Sequence, residues 1–510
     1  MKRSATMFLA ALLGGACYAD RPILAINEDN DHYFKLDSSL MTETALADYA
    51  YDIFRGPVTH FFMCPQGQRA SFDSKAWEPI WAGLDDPDKN GRTNNIWCVN
   101  AKLLHDRGID PYQVWIRCAR AKSVSPWMTM RMNDVHFCTT SNYFRNTTFW
   151  KTRPDLRCVP EATKGKWEQF CFDYSHTEVR AYHMAMVREL LERYDIDGLE
   201  LDWLRFAWYF KPGENRRNAH FLTDFVREAR ACADAIGDRR GRRILLGARV
   251  PTLPAACAMH GMDVDAWAGE RLIDWLVVCN NHMCADYAIP YLDWRHRLAP
   301  LHPGLVILPG TDHKITIGGT ALYAGAPASR GTEEYVEPAA LRGWAEALIA
   351  QGAPGFYLFN LPYNPKDTRD EIYGKGLSPA AVRAGSRRYV ASRHDTLPRG
   401  GIPSAPLPVA VKGGAFVSIR IGRPPVSGGA VVLGFDSDTA DPAALDVQLN
   451  GEAPSGPPRE LERPKKGNIR RRLSFPFAAS AFVPFENGVT VESAGDGDVR
   501  LVWCELQAMR

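Results

Sequence analysis

The sequence predicts an α/β protein in which a (β/α)8 TIM barrel is followed by a C-terminal β-sandwich. Three observations lead to this fold class. Eight short apolar runs rich in β-forming residues alternate with amphipathic helical stretches. Each run ends in polar or charged residues, as parallel strands do when their carboxyl ends carry loops. After residue 395 the sequence changes to short segments punctuated by Pro, Gly and Ser. An open doubly wound sheet is the alternative arrangement of the barrel units.

The elements follow in chain order. The predicted barrel strands are residues 23–28, 58–64, 127–133, 196–202, 244–250, 275–280, 305–310 and 355–360. Helical periodicity is clearest over residues 178–194, 218–236 and 338–351. Sandwich strands are predicted over residues 415–421, 430–435 and 499–506. The connections 134–175 and 311–336 are unusually long, so we expect them to build the substrate site.

Length and composition set the domain organisation. A chain of 510 residues is too long for one ordinary core, and we expect a signal peptide at 1–19, a barrel at 20–395 and a sandwich at 400–510. The 61 basic and 59 acidic residues nearly balance, which gives no indication of a nucleic-acid partner. No stretch after the leader approaches about 18 uninterrupted apolar residues, so no membrane span is expected. Oligomeric state stays open.

The N-terminus predicts export. Lys2 and Arg3 precede an apolar run, 7–16, and Cys17-Tyr18-Ala19 resembles a small-residue cleavage site. A lipoprotein anchor at Cys17 is the less favoured alternative. The 12 cysteines are scattered without a CxxC pair, and we expect most of them to be buried free thiols.

The fourth predicted strand carries the chemistry. Side chains alternate along a strand, so Gly198, Glu200 and Asp202 share one face. Since the leucines between them should face the helices, the two carboxylates should point into the barrel near its top. Buried carboxylates are costly, and two in different environments suit glycosidic-bond cleavage. Asp202 is the first choice for nucleophile or electrostatic stabiliser, with Glu200 tuning its charge or holding a sugar hydroxyl. An arginine-paired structural network is the alternative. The partner acid is sought among the other strand ends, namely Glu28, Asp29, Asp286 and Asp312.

Arginines and polar strand ends complete the predicted pocket. Arg131, Arg205 and Arg249 should keep nearby carboxylates ionised; alternatively they grip a sulfate or carboxylate of an anionic polysaccharide. The remaining predicted substrate-binding residues are Asn133, Asp134, His136, Asn280, Asn281, His282, His313 and Asn360. One or two aromatic rings at the same rim are expected to stack on sugar faces, with candidates Trp127, Trp203, Trp208, Tyr209, Tyr287 and Tyr363.

One segment also resembles a known family. Residues 172–206 contain Glu178-Val179-Arg180 and the run from Asp197-Gly198 to Arg205-Phe206. This pattern resembles a glycoside-hydrolase-like, family-10-like group of bacterial (β/α)8 proteins, and the segments SPWMTMRMNDVHF and FWKTRPDLRC look similar to its preceding strand and loop. The resemblance implies glycan hydrolysis, with Asp202 matching the presumed catalytic carboxylate.

Two other glycosidase patterns fit less well. The chitinase pattern DGxDxDxE is echoed, but Glu200 replaces its first inner Asp and Leu204 its catalytic Glu. The Asn-Glu dipeptide expected after the fourth strand of many retaining β-glycosidases is missing, and Asn27-Glu28 lies at the first strand instead.

The sequence therefore predicts an exported glycoside hydrolase acting on a poly- or oligosaccharide, without cofactor or metal. A carbohydrate-binding pseudoenzyme is the second hypothesis. A metal-dependent hydrolase is the third, disfavoured because no HExxH motif is present and the first strand has no HxH.

Overall fold

The computed structural model describes residues 21–83, 95–140, 143–162, 167–280, 285–317, 332–392, 407–464, 467–494 and 499–509. The predicted signal peptide, including Cys17, lies outside these residues, as do Asn281 and His282.

Eight parallel strands close the predicted barrel. The strands up to residue 392 are β1 (Ile23–Glu28), β2 (His60–Met63), β3 (Ser125–Arg131), β4 (Gly198–Asp202), β5 (Leu245–Pro251), β6 (Trp275–Cys279), β7 (Val306–Thr311), β8 (Lys314–Ile317), β9 (Thr332–Tyr335), β10 (Gly355–Phe359) and β11 (Arg387–Val390). The barrel order is β1-β10-β7-β6-β5-β4-β3-β2. All eight predicted barrel strands are thereby confirmed, while β8 and β9 form an antiparallel hairpin within the long connection after β7.

Helices surround the barrel. They are α1 (Glu43–Ile53), α2 (Ile96–Asp106), α3 (Pro111–Ala121), α4 (Thr148–Thr152), α5 (Thr177–Arg193), α6 (Asn215–Arg240), α7 (Pro254–Met259), α8 (Val264–Gly269), α9 (Tyr291–Leu298), α10 (Pro338–Ile349), α11 (Lys366–Lys375) and α12 (Pro379–Arg383). Single-turn 3-10 helices span Tyr33–Lys35, Ser38–Leu40, Pro154–Leu156, Trp167–Phe170, Leu361–Tyr363, Pro442–Ala444 and Ala479–Ala481. The start of α3 illustrates helix capping. The side chain of Asp110 accepts a hydrogen bond from Tyr112 N (3.1 Å), and Pro111 occupies the first turn.

The barrel interior is packed with aromatic side chains. Trp127 stacks on Phe62 at 4.9 Å between ring centroids and lies 4.9 Å from the ring of Trp275. Gly198 makes room for Trp127, because a Cβ atom at that position would lie 2.5 Å from the indole ring. The lower barrel is therefore a filled core rather than a channel.

The C-terminal region is an antiparallel sandwich, as predicted. Its strands are β12 (Val409–Ala410), β13 (Ala415–Ile421), β14 (Gly429–Phe435), β15 (Leu445–Leu449), β16 (Arg459–Glu460), β17 (Arg471–Phe477), β18 (Phe485–Ser493) and β19 (Arg500–Ala508). One sheet has the order β11-β19-β14-β17-β16 and the other β13-β18-β15. Strand β11 precedes the predicted boundary at 395–400 yet pairs with β19, so this sheet includes residues from upstream of it.

Two further expectations concern thiols and membranes. Ten cysteines of the described ranges are free, and nine of these are buried, which agrees with the interpretation of most cysteines as core residues. Among the described residues, no helix has the length and apolar character needed to cross a bilayer.

Candidate active site at the carboxyl end of the barrel

Glu200 lies inside the barrel, as strand alternation predicts. Its Oε1 accepts hydrogen bonds from Thr129 Oγ1 (2.6 Å) and Tyr357 Oη (2.9 Å). Its Oε2 is buried and has no partner. Burial, together with the negative charge of Asp202, raises the pKa of the Glu200 carboxyl to about 7, against the opposing effect of Arg249. Glu200 can therefore hold a proton near neutral pH, which is what a general acid requires.

Asp202 lies two residues further along β4, and both of its carboxylate oxygens have partners. Its Oδ2 pairs with Arg249 Nη2 at 2.7 Å, and its Oδ1 accepts the backbone N–H groups of Leu204 and Arg205, both at 3.1 Å. These contacts compensate its negative charge. Leu204, two residues after Asp202, is buried and belongs to the hydrophobic cluster of the barrel interior. Asp202 is consequently only 1% exposed, against 0% for Glu200, so the outer position gives Asp202 little more access.

A second chain of polar contacts joins the first, seventh and last barrel strands. Glu28 Oε2 lies 3.1 Å from His32 Nδ1, and His32 Nε2 lies 3.2 Å from Asn360 Oδ1. Asn360 Nδ2 in turn donates to Asp312 Oδ1 (3.3 Å), which also binds His313 Nδ1 (2.5 Å). Although burial opposes protonation, the charge of Glu28 and its hydrogen bond raise the pKa of His32 to about 9. Two predicted acids, Glu28 and Asp312, are thus connected through His32, a residue that the sequence interpretation missed.

A third group surrounds the loop after β3. Arg131 pairs with Asp29 and, at 2.7 Å, with Asp134. Asp134 Oδ1 binds His136 Nδ1 at 2.7 Å, and His136 Nε2 lies 2.8 Å from Arg205 Nη2. Because a guanidinium can only donate, His136 Nε2 accepts here, which places the ring proton on Nδ1. Burial lowers the pKa of His136 to about 4, consistent with this neutral form.

One cluster has the composition of a metal site. Ligand atoms of Asp29, Asp31 and His32 lie within 4.8 Å of one another. However, Arg131 pairs with Asp29, and Lys35 pairs with Asp31. Both His32 nitrogens contact Glu28 and Asn360, as described above. Cationic side chains therefore already supply the positive charge that a metal would bring, and the third hypothesis from the sequence gains no support from these three residues.

Several predicted site residues lie elsewhere or have structural partners. The prediction of Trp203 at the rim is wrong, since its ring packs outside the barrel against Tyr174, Phe225 of α6 and Trp267 of α8. Asn133 holds the loops together, with Nδ2 donating to Trp208 O (2.7 Å) and Oδ1 accepting from Phe172 N (3.1 Å).

Asn280 and Asp286 follow β6. Asn280 is buried and neither atom of its amide has a partner. Asp286, also buried, accepts from Ala288 N at 2.8 Å, and its backbone carbonyl accepts from Trp344 Nε1 at 2.9 Å. A catalytic role for Asp286 stays a prediction.

The mouth of the barrel is distinct from a cavity in the helical layer. That cavity, of about 270 Å3, lies among α6, α7, α8 and α9 and is lined by Cys257, Met262 and Trp294. Its rim carries the exposed ion pair between Arg297 and Asp265. We place the candidate site at the strand ends instead, because the buried carboxyl groups that interact with one another and with arginines are there.

Comparison with known proteins gives likeness of fold. No protein-family model and no curated protein sequence matches the chain. It is similar to a structure of alpha-L-fucosidase isoenzyme 2 from Paenibacillus thiaminolyticus, with 14% identity and a TM-score of 0.42, covering 71% of this chain and 49% of that one. A cycloisomaltooligosaccharide glucanotransferase of Paenibacillus sp. has 9% identity and a TM-score of 0.35, covering 94% and 57%. A family GH18 chitinase from Chromobacterium violaceum has 11% identity and a TM-score of 0.38, covering 95% and 88%.

The chain thus spans about half the length of the first two structures. The structures similar to it include glycosidases with barrel folds, and the finer family-10-like resemblance stays a prediction.

Proposed function

We propose that the protein is a glycoside hydrolase that cleaves a poly- or oligosaccharide at the carboxyl end of the barrel. One observation carries the proposal. Two carboxyl groups on the same inner face of β4 have opposite environments: Glu200 holds a proton near pH 7, whereas Asp202 is held by a cation and two backbone donors. Glycosidic-bond cleavage needs such a pair, one group to protonate the leaving oxygen and one to stabilise or attack the sugar cation.

The proposed roles follow from these environments. Glu200 acts as the proton donor through Oε2, the oxygen that has no hydrogen-bond partner among the described residues. Asp202 supplies the negative charge, with Arg249 fixing its orientation. Glu28 and Asp312 remain proposed auxiliary acids, linked by His32 and Asn360. Export, and with it action on glycans outside the cytoplasm, is part of the same proposal.

The test is release of reducing ends from a glycan panel. We expect Asp202→Asn and Glu200→Gln to abolish turnover while circular dichroism shows an unchanged fold. Asp265→Asn serves as the matched control, because Asp265 is 40% exposed and pairs with Arg297 on the helical layer. We also expect kcat/KM to fall as the pH rises through about 7, where Glu200 loses its proton. Unchanged turnover in Asp202→Asn would refute the assignment.

A carbohydrate-binding protein without turnover is the second candidate. The burial of Glu200 and Asp202 favours it, since neither carboxyl group is open to solvent. Binding of an oligosaccharide by the wild-type protein, with no product over the whole panel and an affinity unchanged in Asp202→Asn, would favour this alternative.

A further inference from the structure

Arg205 has no direct ion pair in the described part of the chain. The other two arginines predicted for the site, Arg131 and Arg249, are ion-paired and each only 2% exposed. Arg205 instead donates to the neutral ring of His136, and its buried Nε has no partner. Its charge lowers the pKa of Asp29 and of Asp312, but neither these nor any other described carboxylate comes within ion-pair distance of Arg205. A half-buried guanidinium without a direct ion pair is costly, so an anion that reaches its unused donors would be bound favourably.

A second arginine, Arg145, has only one long ion pair among the described residues. Arg145, on the loop after β3, has a side chain that is only 12% exposed, and its Nε is buried without a partner. Its carboxylate neighbour Asp31 is 4.0 Å away and already bound by Lys35 and Tyr363. The Arg145 guanidinium is held in place by the ring of Trp97, 4.6 Å from its centroid. Stacking therefore fixes the Arg145 guanidinium, while its Nε–H remains available to donate a hydrogen bond.

The two guanidinium groups act on the same residue. Both Arg205 and Arg145 contribute to the lowered pKa of His136, so both lie within electrostatic range of that ring. Phe137, the next residue, is 51% exposed and adopts a left-handed backbone conformation (φ 58°). Its ring lies 4.7 Å from that of Tyr143 and 6.0 Å from the Arg145 guanidinium. An exposed aromatic surface therefore adjoins two cations, and the strained backbone at Phe137 suggests that its placement is selected for function.

We propose that Arg205 and Arg145 bind an anionic substituent of the sugar, the carboxylate of a uronic acid or a sulfate ester, while Phe137 supports the ring. This inference rests on the proposed carbohydrate function and names its substrate class. A guanidinium presents donors in a planar fork that matches carboxylate and sulfate oxygens, and it keeps its charge at any working pH. Aromatic rings add a face for the apolar side of a pyranose.

Binding of monosaccharides tests the inference without requiring turnover. The probes are glucuronate, galacturonate and mannuronate, each compared by calorimetry with its neutral parent hexose, and the 6-sulfate of each hexose. We expect at least one anionic sugar to bind about tenfold or more tightly than its parent, and the uronate and sulfate arms separate the two anion chemistries. Arg205→Gln and Arg145→Gln should each remove that preference. Arg188→Gln is the control, because Arg188 lies on α5 with 53% of its side chain exposed.

Arg205→Lys separates charge from geometry. The lysine keeps the positive charge but lacks the planar set of donors of a guanidinium. A preference for anionic sugars that is lost in Arg205→Gln and only reduced in Arg205→Lys therefore supports a guanidinium site. Equal binding of acids and parents across the panel, or a preference unaffected by both Gln variants, would overturn the inference. Anion binding without hydrolysis of any glycan would retain it and refute the hydrolase proposal. Hydrolysis of neutral glycans without a preference for anionic sugars would support the hydrolase proposal and overturn the inference about Arg205 and Arg145.

Discussion

Replacing Glu200 by Gln should stabilise the protein above neutral pH, although it removes the proposed acid. The Glu200 carboxyl is fully buried, and its pKa is raised from 4.5 to about 7 by burial and by the charge of Asp202. Below about pH 4.5 the proton is bound in both the folded and the unfolded state. Between the two values only the folded state keeps it, so the free energy of unfolding falls as the pH rises, and the contribution is lost once the pH passes 7.

The magnitude follows from the size of the shift. At 1.36 kcal/mol per pKa unit, a rise from 4.5 to about 7 corresponds to about 3 kcal/mol of stability lost by the wild type between these pH values. Gln carries no titratable proton. Its carbonyl oxygen can still accept from Thr129 and Tyr357, the two donors that bind Oε1 of Glu200. The variant should therefore match the wild type near pH 4.5 and exceed it by up to that amount at pH 8.

Urea unfolding of both proteins at pH 4.5 and pH 8, followed by far-UV circular dichroism, measures the difference. Comparing the two proteins cancels the pH dependence that other groups share. Glu452→Gln, at an exposed position of the sandwich, is the matched control and should show no such change with pH. If the difference between wild type and Glu200→Gln is the same at both pH values, Glu200 does not hold its proton near neutrality, and its assignment as the acid fails with it.

Two further predictions concern packing and charge. Gly198→Ala should lower stability by about 1–3 kcal/mol, because the new methyl group would lie 2.5 Å from the Trp127 ring; a thermal midpoint equal to that of the wild type would contradict this packing. His32→Gln should flatten the pH dependence of stability between about 6.5 and 9. The charge of Glu28 raises the pKa of His32 to about 9, so its contribution is complete below 6.5 and lost as the pH rises through 9. If His32 were neutral, the free energy of unfolding measured from denaturation curves would depend on pH in the same way in the variant and the wild type across that range.

The barrel could be predicted because its strands carry their own signal. Each is a short apolar run bounded by polar residues, and every barrel strand predicted from these runs is present with ends shifted by two residues or fewer. The hairpin of β8 and β9 was not predicted. These strands are four residues each, too short for a clear alternation within a connection that otherwise looks like a loop. The placement of β11 in the C-terminal sheet depends on its antiparallel pairing with β19, which no local pattern encodes.

The part of the site that the sequence could predict is the part that depends on the alternation of side chains along β4. Alternation placed Glu200 and Asp202 inside the barrel, and the same rule carried one residue further places Trp203 with the leucines on the helix side, where it lies. His32 could have been considered, since it follows Glu28 by four residues and shares the first strand's end. Arg145 could not, because its approach to Asp31 and His136 depends on the path of a long loop across the barrel mouth.

Register explains why one arginine of three has no carboxylate at ion-pair distance among the described residues. Asp202 lies opposite Arg131 of β3 on one side and opposite Arg249 of β5 on the other. Neighbouring strands are about 4.8 Å apart, so charges at equal height meet without any loop rearrangement. Asp202 takes Arg249, and Arg131 turns to Asp29 and Asp134 at the adjacent loops. Arg205 lies beyond the end of β4 and has no ladder neighbour, so its partner must come from a loop or from a ligand. Among the described residues its hydrogen-bond partner is the neutral His136, while Asp29 and Asp312 sense its charge from beyond ion-pair distance. The donors that this geometry leaves over are the ones that the proposed anionic sugar would use.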